Sequence, residues 1–273
     1  MPESLDWKIL CLDFDEASHD IKDFLQTLWP DKITTYSFEP CAHNTRPEYA
    51  REIAKNAAAK LADTTGKILT VYGSGSYHQF TYGLLTAIAD ERSKSYTYIH
   101  IDQHSDNGAI YDPNIITCGN FVSFIPDSTH ATAIKYIGCK SIFNPVPSQD
   151  RLHLASLEQN SQESLTKLFD ETPDAAYITT DLDVLWEEQM ATGYPGGMMN
   201  LSTLIETLLH IKKTKNIISA DACGFHINHH IRENPKTTLR KASILVYAAI
   251  AGIFLGEDIT EFTKEHKRLT KTF

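Results

Sequence analysis

The chain has 273 residues, 42% of them hydrophobic, and a formal net charge of −10 at pH 7. These values fit one large α/β domain over residues 1–273, and the negative charge argues against binding to nucleic acid or to anionic membranes. No basic-flanked apolar run begins the sequence, and the apolar stretch 243–255 is too short to span a membrane. The cysteines lack C-x-x-C spacing, which predicts reduced thiols in a cytoplasmic protein.

Strand and helix patterns alternate along the chain. Runs of β-branched and aromatic residues predict strands at 7–14, 67–71, from 96, 133–138, from 177 and 216–221. Apolar residues at helical spacing predict helices at 47–63, 80–92, 156–169, 201–213, 236–256 and 258–267, with loops at 15–20 and 107–119. This alternation predicts a three-layer αβα sandwich with a central, mainly parallel sheet.

The predicted strand from Tyr96 ends in side chains that bind metals. Asp102, His104 and Asp106 occupy alternate positions, so an extended chain directs them to one face. Burying two carboxylates and an imidazole is costly unless a cation compensates. Carboxylate and imidazole ligands suit manganese, iron or zinc, so the run predicts a divalent metal site. The alternative is a polar strand end without a ligand.

Two other strand ends supply further donors. Asp181 and Asp183 close the strand from Tyr177, and the glycine-rich turn 73–76 leads to His78. The three strand ends together provide two histidines and four aspartates, more than the four ligands of one zinc ion. Such a set suits two metal ions bridged by carboxylates.

These motifs resemble those of the ureohydrolases, the arginase and agmatinase family of dimanganese enzymes. The similar segments are Gly75-Ser76-Tyr77-His78, Asp102-Gln103-His104-Ser105-Asp106, Thr179-Thr180-Asp181-Leu182-Asp183 and the loop 191–198. Every metal-binding position of the family carries a competent ligand here, in the same order. The resemblance implies an arginase/deacetylase-like fold with two Mn²⁺ ions per chain, held by His78, Asp102, His104, Asp106, Asp181 and Asp183.

The resemblance also implies hydrolysis of a guanidino group to urea and an amine. By position, Asp106 and His104 belong to the catalytic set, with Asp106 orienting the nucleophile and accepting its proton. A guanidinium needs a planar anionic partner, and Asp221 after the last core strand is the candidate. Another register places Gly224 at that position. The other candidates for binding substrate are Asn107, Cys118, Tyr194 and His226.

Departures from the arginase pattern bear on the substrate. Val122 stands where arginases have a proton-shuttling histidine, and Cys118 stands where a serine contacts the α-carboxylate. The segment 137–143 lacks the acids that recognise a free α-amine. The remaining candidates for moving the proton are solvent, His226, His229 and His230. Intact metal ligands without α-group recognition favour an arginine inside a peptide, converted to ornithine, as in peptide arginases that mature ribosomally made peptides.

Three other interpretations remain open. The substrate could be a small free guanidino compound such as agmatine or arginine. The deacetylases of the same fold use one zinc ion, but they would not need both Asp181 and Asp183. A catalytically weak relative could bind a guanidino compound or peptide without turnover, although unneutralised carboxylates would then repel one another. Family members commonly form trimers or hexamers, so a homo-oligomer is a further expectation.

Overall fold

The computed structural model describes residues 7–39, 44–61, 66–140, 155–157, 162–170, 172–227 and 233–270. The strands are β1 (Trp7–Asp13), β2 (Ile33–Ser37), β3 (Asn44–Thr45), β4 (Lys67–Val71), β5 (Tyr96–Ile101), β6 (Ile116–Thr117), β7 (Ala131–Ile137), β8 (Ala155–Leu157), β9 (Ala175–Asp181) and β10 (Asn216–Cys223). The α-helices are α1 (Glu16–Leu28), α2 (Pro47–Ala58), α3 (Phe80–Leu84), α4 (Asp90–Arg92), α5 (Ile125–Ser128), α6 (Gln162–Leu168), α7 (Leu201–Thr214), α8 (Glu233–Leu255) and α9 (Thr260–Thr270). A π-helical turn, Leu85–Ala89, joins α3 to α4.

The central sheet is parallel throughout its described part. Eight strands lie in the order β2-β1-β4-β10-β9-β5-β7-β8, while β3 and β6 form a small antiparallel pair. The strands that precede the predicted ligands are β4, β9 and β5. Of these, β9 and β5 are neighbours, and only β10 separates them from β4. Because parallel strands end at the same edge, the segments that follow them meet above that edge.

Helices cover both faces of the sheet. Along β1, Ile9 and Cys11 pack into a core with α1, α7 and α8, whereas Leu10 and Leu12 pack into a second core with α2 and α3. A strand buried on both faces has a continuous apolar sequence, which is typical of parallel sheets. The αβα sandwich predicted from the sequence is therefore confirmed.

Two elements near the start of the chain differ from the predictions. The predicted loop 15–20 is mostly helical, because Asp15 caps α1 by accepting a hydrogen bond from Ser18 N at 2.7 Å. The Ser18 hydroxyl in turn accepts from Asp15 N at 2.9 Å and completes a capping box. Strand β2 was not predicted, although four of its five residues are β-branched or aromatic.

Two predictions further along the chain also need correction. The predicted helix 156–169 is the short strand β8 followed by α6. In α8, the segment Thr238–Leu255 is long and apolar enough to cross a membrane by length and composition. The apolar stretch therefore begins before residue 243, where the sequence analysis had placed its start. However, 72% of this segment is buried inside the protein, and packing in the core accounts for its apolar composition.

Candidate metal centre

His78 stands at the centre of three carboxylates. Its Nδ1 atom lies 2.9 Å from Asp106 Oδ2, 3.3 Å from Asp102 Oδ2 and 3.5 Å from Asp181 Oδ2. The imidazole is 1% exposed. The turn after β4 carries His78 to the edge where β5 and β9 deliver the aspartates. Four of the six residues predicted as ligands therefore converge on one nitrogen atom.

His104 joins the remaining residues to this group. Its Nδ1 atom lies 2.9 Å from Asp183 Oδ2 and 3.5 Å from Asp102 Oδ1. The two oxygens of Asp102 thus face different histidines, with Oδ2 towards His78 and Oδ1 towards His104. A carboxylate placed in this way is suited to bridge two cations. The structure brings all six predicted side chains into one cluster.

The cluster contains buried polar atoms that lack hydrogen bonds within the described chain. They are His78 Nδ1, Asp102 Oδ2 and both carboxylate oxygens of Asp183. Such atoms destabilise a fold by an amount comparable to lost hydrogen bonds, and more when charged. Carboxylate oxygens and imidazole nitrogens that face one another without a hydrogen bond are suited to bind divalent cations between them. The residues present therefore fit a metal pair.

Two glycines make room for Asp181. A Cβ atom on Gly75 would lie 2.5 Å from Asp181 Oδ2. A Cβ atom on Gly224 would clash with Asp181 Oδ1, and the φ of +114° at Gly224 is one that residues with side chains rarely adopt. Both positions thus require glycine, and the residue directly after β10 carries no acid.

Asp221, predicted to pair with the guanidinium, lies beneath the cluster. Strand β10 continues to Cys223, so the Asp221 carboxylate stays within the layers of the sandwich and is 1% exposed. Hydroxyl groups of Thr179, Thr81, Tyr72 and Tyr177 donate to it at 2.7, 3.1, 3.3 and 2.5 Å. Asp221 is therefore not part of the cavity lining, where the prediction had placed it against the guanidinium.

Asp221 reaches the cluster through Thr179. The Thr179 hydroxyl donates its single proton to Asp221 Oδ1, and its oxygen lies 2.8 Å from His78 Nε2. The Thr179 oxygen can therefore only accept a hydrogen bond from His78, so His78 Nε2 carries a proton. His78 Nδ1 is then the nitrogen that can bind a metal ion in place of its proton. Thr179 lies two residues before Asp181, and this spacing is the signal that could have identified it.

His100 is a second residue of the site that was not predicted. It is fully buried, and its Nε2 atom donates to the His104 carbonyl at 3.0 Å while lying 3.2 Å from Asp102 Oδ2. Its Nδ1 atom accepts from the Tyr98 hydroxyl at 2.9 Å. His100 alternates with Asp102 and His104 along the chain, so the same spacing places it on their face.

The metal-free cluster retains protons. Burial and repulsion by nearby carboxylates raise the pKa of Asp181 to about 6 and the pKa of Asp183 well above its usual range. The close carboxylates of Asp102 and Asp183 raise the pKa of His104 to about 11. Burial acts to lower the pKa of His78, but neighbouring aspartates raise it well above its usual value. Metal ions must displace these protons to bind.

This proton retention predicts the pH dependence of stability. Asp181 binds more protons when folded than when unfolded between pH 3.8 and about 6, and His104 does so between pH 6.5 and about 11. Both groups therefore make the free energy of unfolding fall as pH rises. In chelator, we expect a lower melting temperature at pH 9 than at pH 6.5. With Mn²⁺, the difference should shrink or reverse, because the ligands lose protons more easily at high pH.

The variant His104→Ala is the control for this experiment. Its metal-free melting temperature should change less between pH 6.5 and pH 9, because the group that titrates across that interval is gone. An increase in the melting temperature of the metal-free wild type over the same interval would contradict the expectation.

A cavity of about 450 Å³ opens beside the cluster. Three aspartates of the cluster line it, namely Asp106, Asp181 and Asp183. Three of the residues predicted to bind substrate also line it, namely Asn107, Cys118 and Tyr194. The Tyr194 hydroxyl lies 3.3 Å from Ser76 Oγ and 3.6 Å from Cys118 Sγ, which joins two walls of the cavity.

Neither Val122, at the position of the missing histidine, nor His226 lines this cavity in the described part of the chain. Val122 is 2% exposed in the apolar core, and its N–H donates to the Asp106 carbonyl at 3.0 Å. His226 packs near Gly193, its N–H donating to the Ala191 carbonyl at 3.0 Å, and is not part of the lining. His229 and His230 lie outside the described residues.

Comparison with known proteins identifies one family. A sequence model described as the Arginase family matches residues 14–251. No curated protein matches the chain significantly. The match spans every residue of the cluster, from His78 to Asp183.

Solved structures share the fold at low sequence identity. A hypothetical agmatinase from Burkholderia thailandensis is 18% identical with a TM-score of 0.68, covering 92% of this chain and 86% of its own. An Entamoeba histolytica arginase in complex with L-ornithine is 16% identical with a TM-score of 0.60, covering 92% and 98%. A Trypanosoma cruzi formiminoglutamase variant with Mn²⁺ is 14% identical with a TM-score of 0.66, covering 94% of each chain.

Proposed function

The chain belongs to the arginase family, whose members are metal-dependent amidinohydrolases, and we propose that it releases urea from peptidyl arginine to leave peptidyl ornithine. One observation carries the proposal. Six side chains with nitrogen or oxygen ligand atoms, Asp102 among them, form one cluster, and three of its aspartates line a cavity. Such a centre suits attack by water on an unreactive carbon such as that of guanidine.

We further propose that the centre holds two Mn²⁺ ions. His78 and Asp106 belong to one side of the cluster, His104 and Asp183 to the other, and Asp102 lies between them. The ions, when bound, supply the Lewis acidity that makes water nucleophilic near neutral pH. The donor set also suits iron or cobalt, so manganese rests on the resemblance.

Asp106 is the residue we assign to proton transfer. Its carboxylate lines the cavity and can accept the proton of the attacking water at an Oδ atom. As water adds to the guanidine carbon, the bond from that carbon to the substrate nitrogen breaks, and the proton passes to the departing amine. The backbone of Asp106 has a φ of +47°, which is uncommon for aspartate, and the Val122 N–H holds its carbonyl. Uncommon backbone conformations of this kind cluster at functional sites.

Two features support a peptide rather than a free amino acid. Residues 137–140, the described part of 137–143, contain no acid that could bind an α-amine. Lys140 of this segment lines the cavity instead. The loop 107–119 lines the cavity with both ends, and between them it exposes Ile110, Tyr111 and Ile115 by 41%, 96% and 41%. Exposed apolar side chains on a loop whose ends line the site are suited to contact a peptide beyond the reacting residue.

The test is a comparison of substrates. Purified protein with Mn²⁺ should release urea from an acetylated, amidated arginine peptide, with a kcat/KM at least about 10-fold above the values for free arginine and agmatine. The variant Asp106→Asn should release urea from none of them and so shows that the activity belongs to this site. Faster release from a small guanidine than from the peptide would establish the alternative of a small free substrate.

A further inference from the structure

Lys140 is a cation held beside the centre. It follows β7, and its backbone N–H donates to the Gln103 carbonyl at 3.2 Å. The preceding thiol, Cys139 Sγ, donates to the His104 carbonyl at 2.9 Å. These two hydrogen bonds thus hold the backbone of Cys139 and Lys140 against the segment that carries His104. The Lys140 side chain is exposed and lines the cavity.

The charges of the cavity give Lys140 a role. When two divalent cations are bound, they balance the four carboxylates of the cluster, and the histidine ligands are neutral. The other lining residues are uncharged in the described chain. Lys140 is therefore the one lining residue, among those described, that adds a positive charge of its own to the metal-loaded cavity. Among the described residues, no carboxylate forms an ion pair with its ammonium group.

The Lys140 ammonium disfavours a second cation on the substrate, such as the ammonium of agmatine. A carboxylate close to the reacting guanidinium would instead be attracted to Lys140. Lys ammonium groups bind carboxylates through charge-assisted hydrogen bonds.

We propose that Lys140 determines specificity by binding a substrate carboxylate close to the reacting arginine. This inference rests on the proposed urea-releasing function and narrows its substrate class to arginines that carry a neighbouring carboxylate. Such a group has two sources, an acidic side chain next to the arginine or a free C-terminal carboxylate on the arginine itself.

Two pairs of peptides separate these sources. Acetyl-Arg-Glu-amide against acetyl-Arg-Gln-amide tests the side-chain carboxylate, and acetyl-Arg against acetyl-Arg-amide tests the C-terminal one. With Mn²⁺-loaded protein, we expect one pair to show a preference for the carboxylate of about 3- to 10-fold, in KM more than in kcat. The preference should weaken at high salt, because the contact is partly exposed.

Variants identify the residue responsible. Lys140→Met should remove the preference, so that each carboxylate peptide and its neutral partner have the same kcat/KM. Lys140→Glu should favour agmatine over both carboxylate peptides. The matched control is Lys94→Met, which removes an exposed lysine just before β5, at the opposite end of that strand from the cluster.

The outcomes distinguish this inference from the proposed function. Urea release without a preference in either pair, or a preference that survives Lys140→Met, would overturn the inference and leave the function intact. If no peptide releases urea, the proposed function fails. In that case, calorimetry measures the affinity of the Mn²⁺-loaded protein for the same four peptides. Tighter binding of a carboxylate peptide than of its neutral partner, lost in Lys140→Met, would support the inference, and equal binding would overturn it.

Discussion

Replacement of Asp183 by asparagine is expected to reduce Mn²⁺ binding and urea release by more than about 100-fold, the upper end of the range for residues that only support metal ligands. Asp183 is 1% exposed, and neither carboxylate oxygen has a hydrogen-bond partner in the described chain. Its only close cation is His104 Nδ1 at 2.9 Å, within the part of the protein that the structure covers. A carboxylate so placed has no structural purpose that an amide could not serve.

The same substitution should stabilise the metal-free protein. Burial and repulsion from Asp181 and Asp102 raise the pKa of Asp183 well above its usual range, so the ionised side chain opposes folding. A neutral amide removes that repulsion, and the variant should melt at a higher temperature than the wild type in chelator. Added Mn²⁺ should then raise the melting temperature of the wild type more than that of the variant.

Metal content after dialysis, melting temperatures with Mn²⁺ and with chelator, and urea release together test this prediction. Asp23→Asn is the matched control, because Asp23 is 73% exposed and pairs with Lys22 on the surface. A variant of Asp183 that retains full Mn²⁺ content and activity would exclude Asp183 from the metal-binding set. A variant that melts at a lower temperature than the wild type in chelator would contradict the electrostatic argument.

The convergence of the six donors could be predicted in part from local sequence. Asp102, His104 and Asp106 alternate after one strand, and Asp181 and Asp183 alternate after another. Parallel strands end at one edge, so donors from separate stretches lie along that edge. Their meeting at one point also requires β4, β5 and β9 to lie close together, which is a property of the strand order.

Other parts of the site depended on information that the sequence does not provide. The depth of Asp221 depends on where β10 ends, and strand ends are poorly determined by propensity because the next residues, Ala222 and Cys223, suit strand or turn. The position of Lys140 beside the centre depends on β7 lying next to β5, which is a property of the sheet order. Sheet topology thus explains why Lys140 was missed. Thr179 and His100 were also missed, although each lies on a strand, two residues before a predicted ligand.

Replacement of Thr179 by valine is expected to weaken Mn²⁺ binding by about 10- to 100-fold. Valine keeps the shape of threonine but removes the hydroxyl that accepts from His78 Nε2 at 2.8 Å and donates to Asp221 at 2.7 Å. The buried Nε2–H then lacks a partner, and the imidazole can place its proton on Nδ1, the nitrogen that faces the carboxylates. A proton on Nδ1 competes with the metal ion for the same lone pair.

Thr81→Val is the matched control for this prediction. Thr81 also donates to Asp221, at 3.1 Å, so its loss disturbs the same buried carboxylate, but its side chain forms no hydrogen bond with His78. Both variants should lose about 1–3 kcal/mol of stability. Only Thr179→Val should also lose Mn²⁺ affinity, measured by calorimetry, and Thr179→Ser should restore it because serine keeps the hydroxyl. Equal Mn²⁺ affinities in the two valine variants would mean that Asp221 supports the fold and does not orient His78.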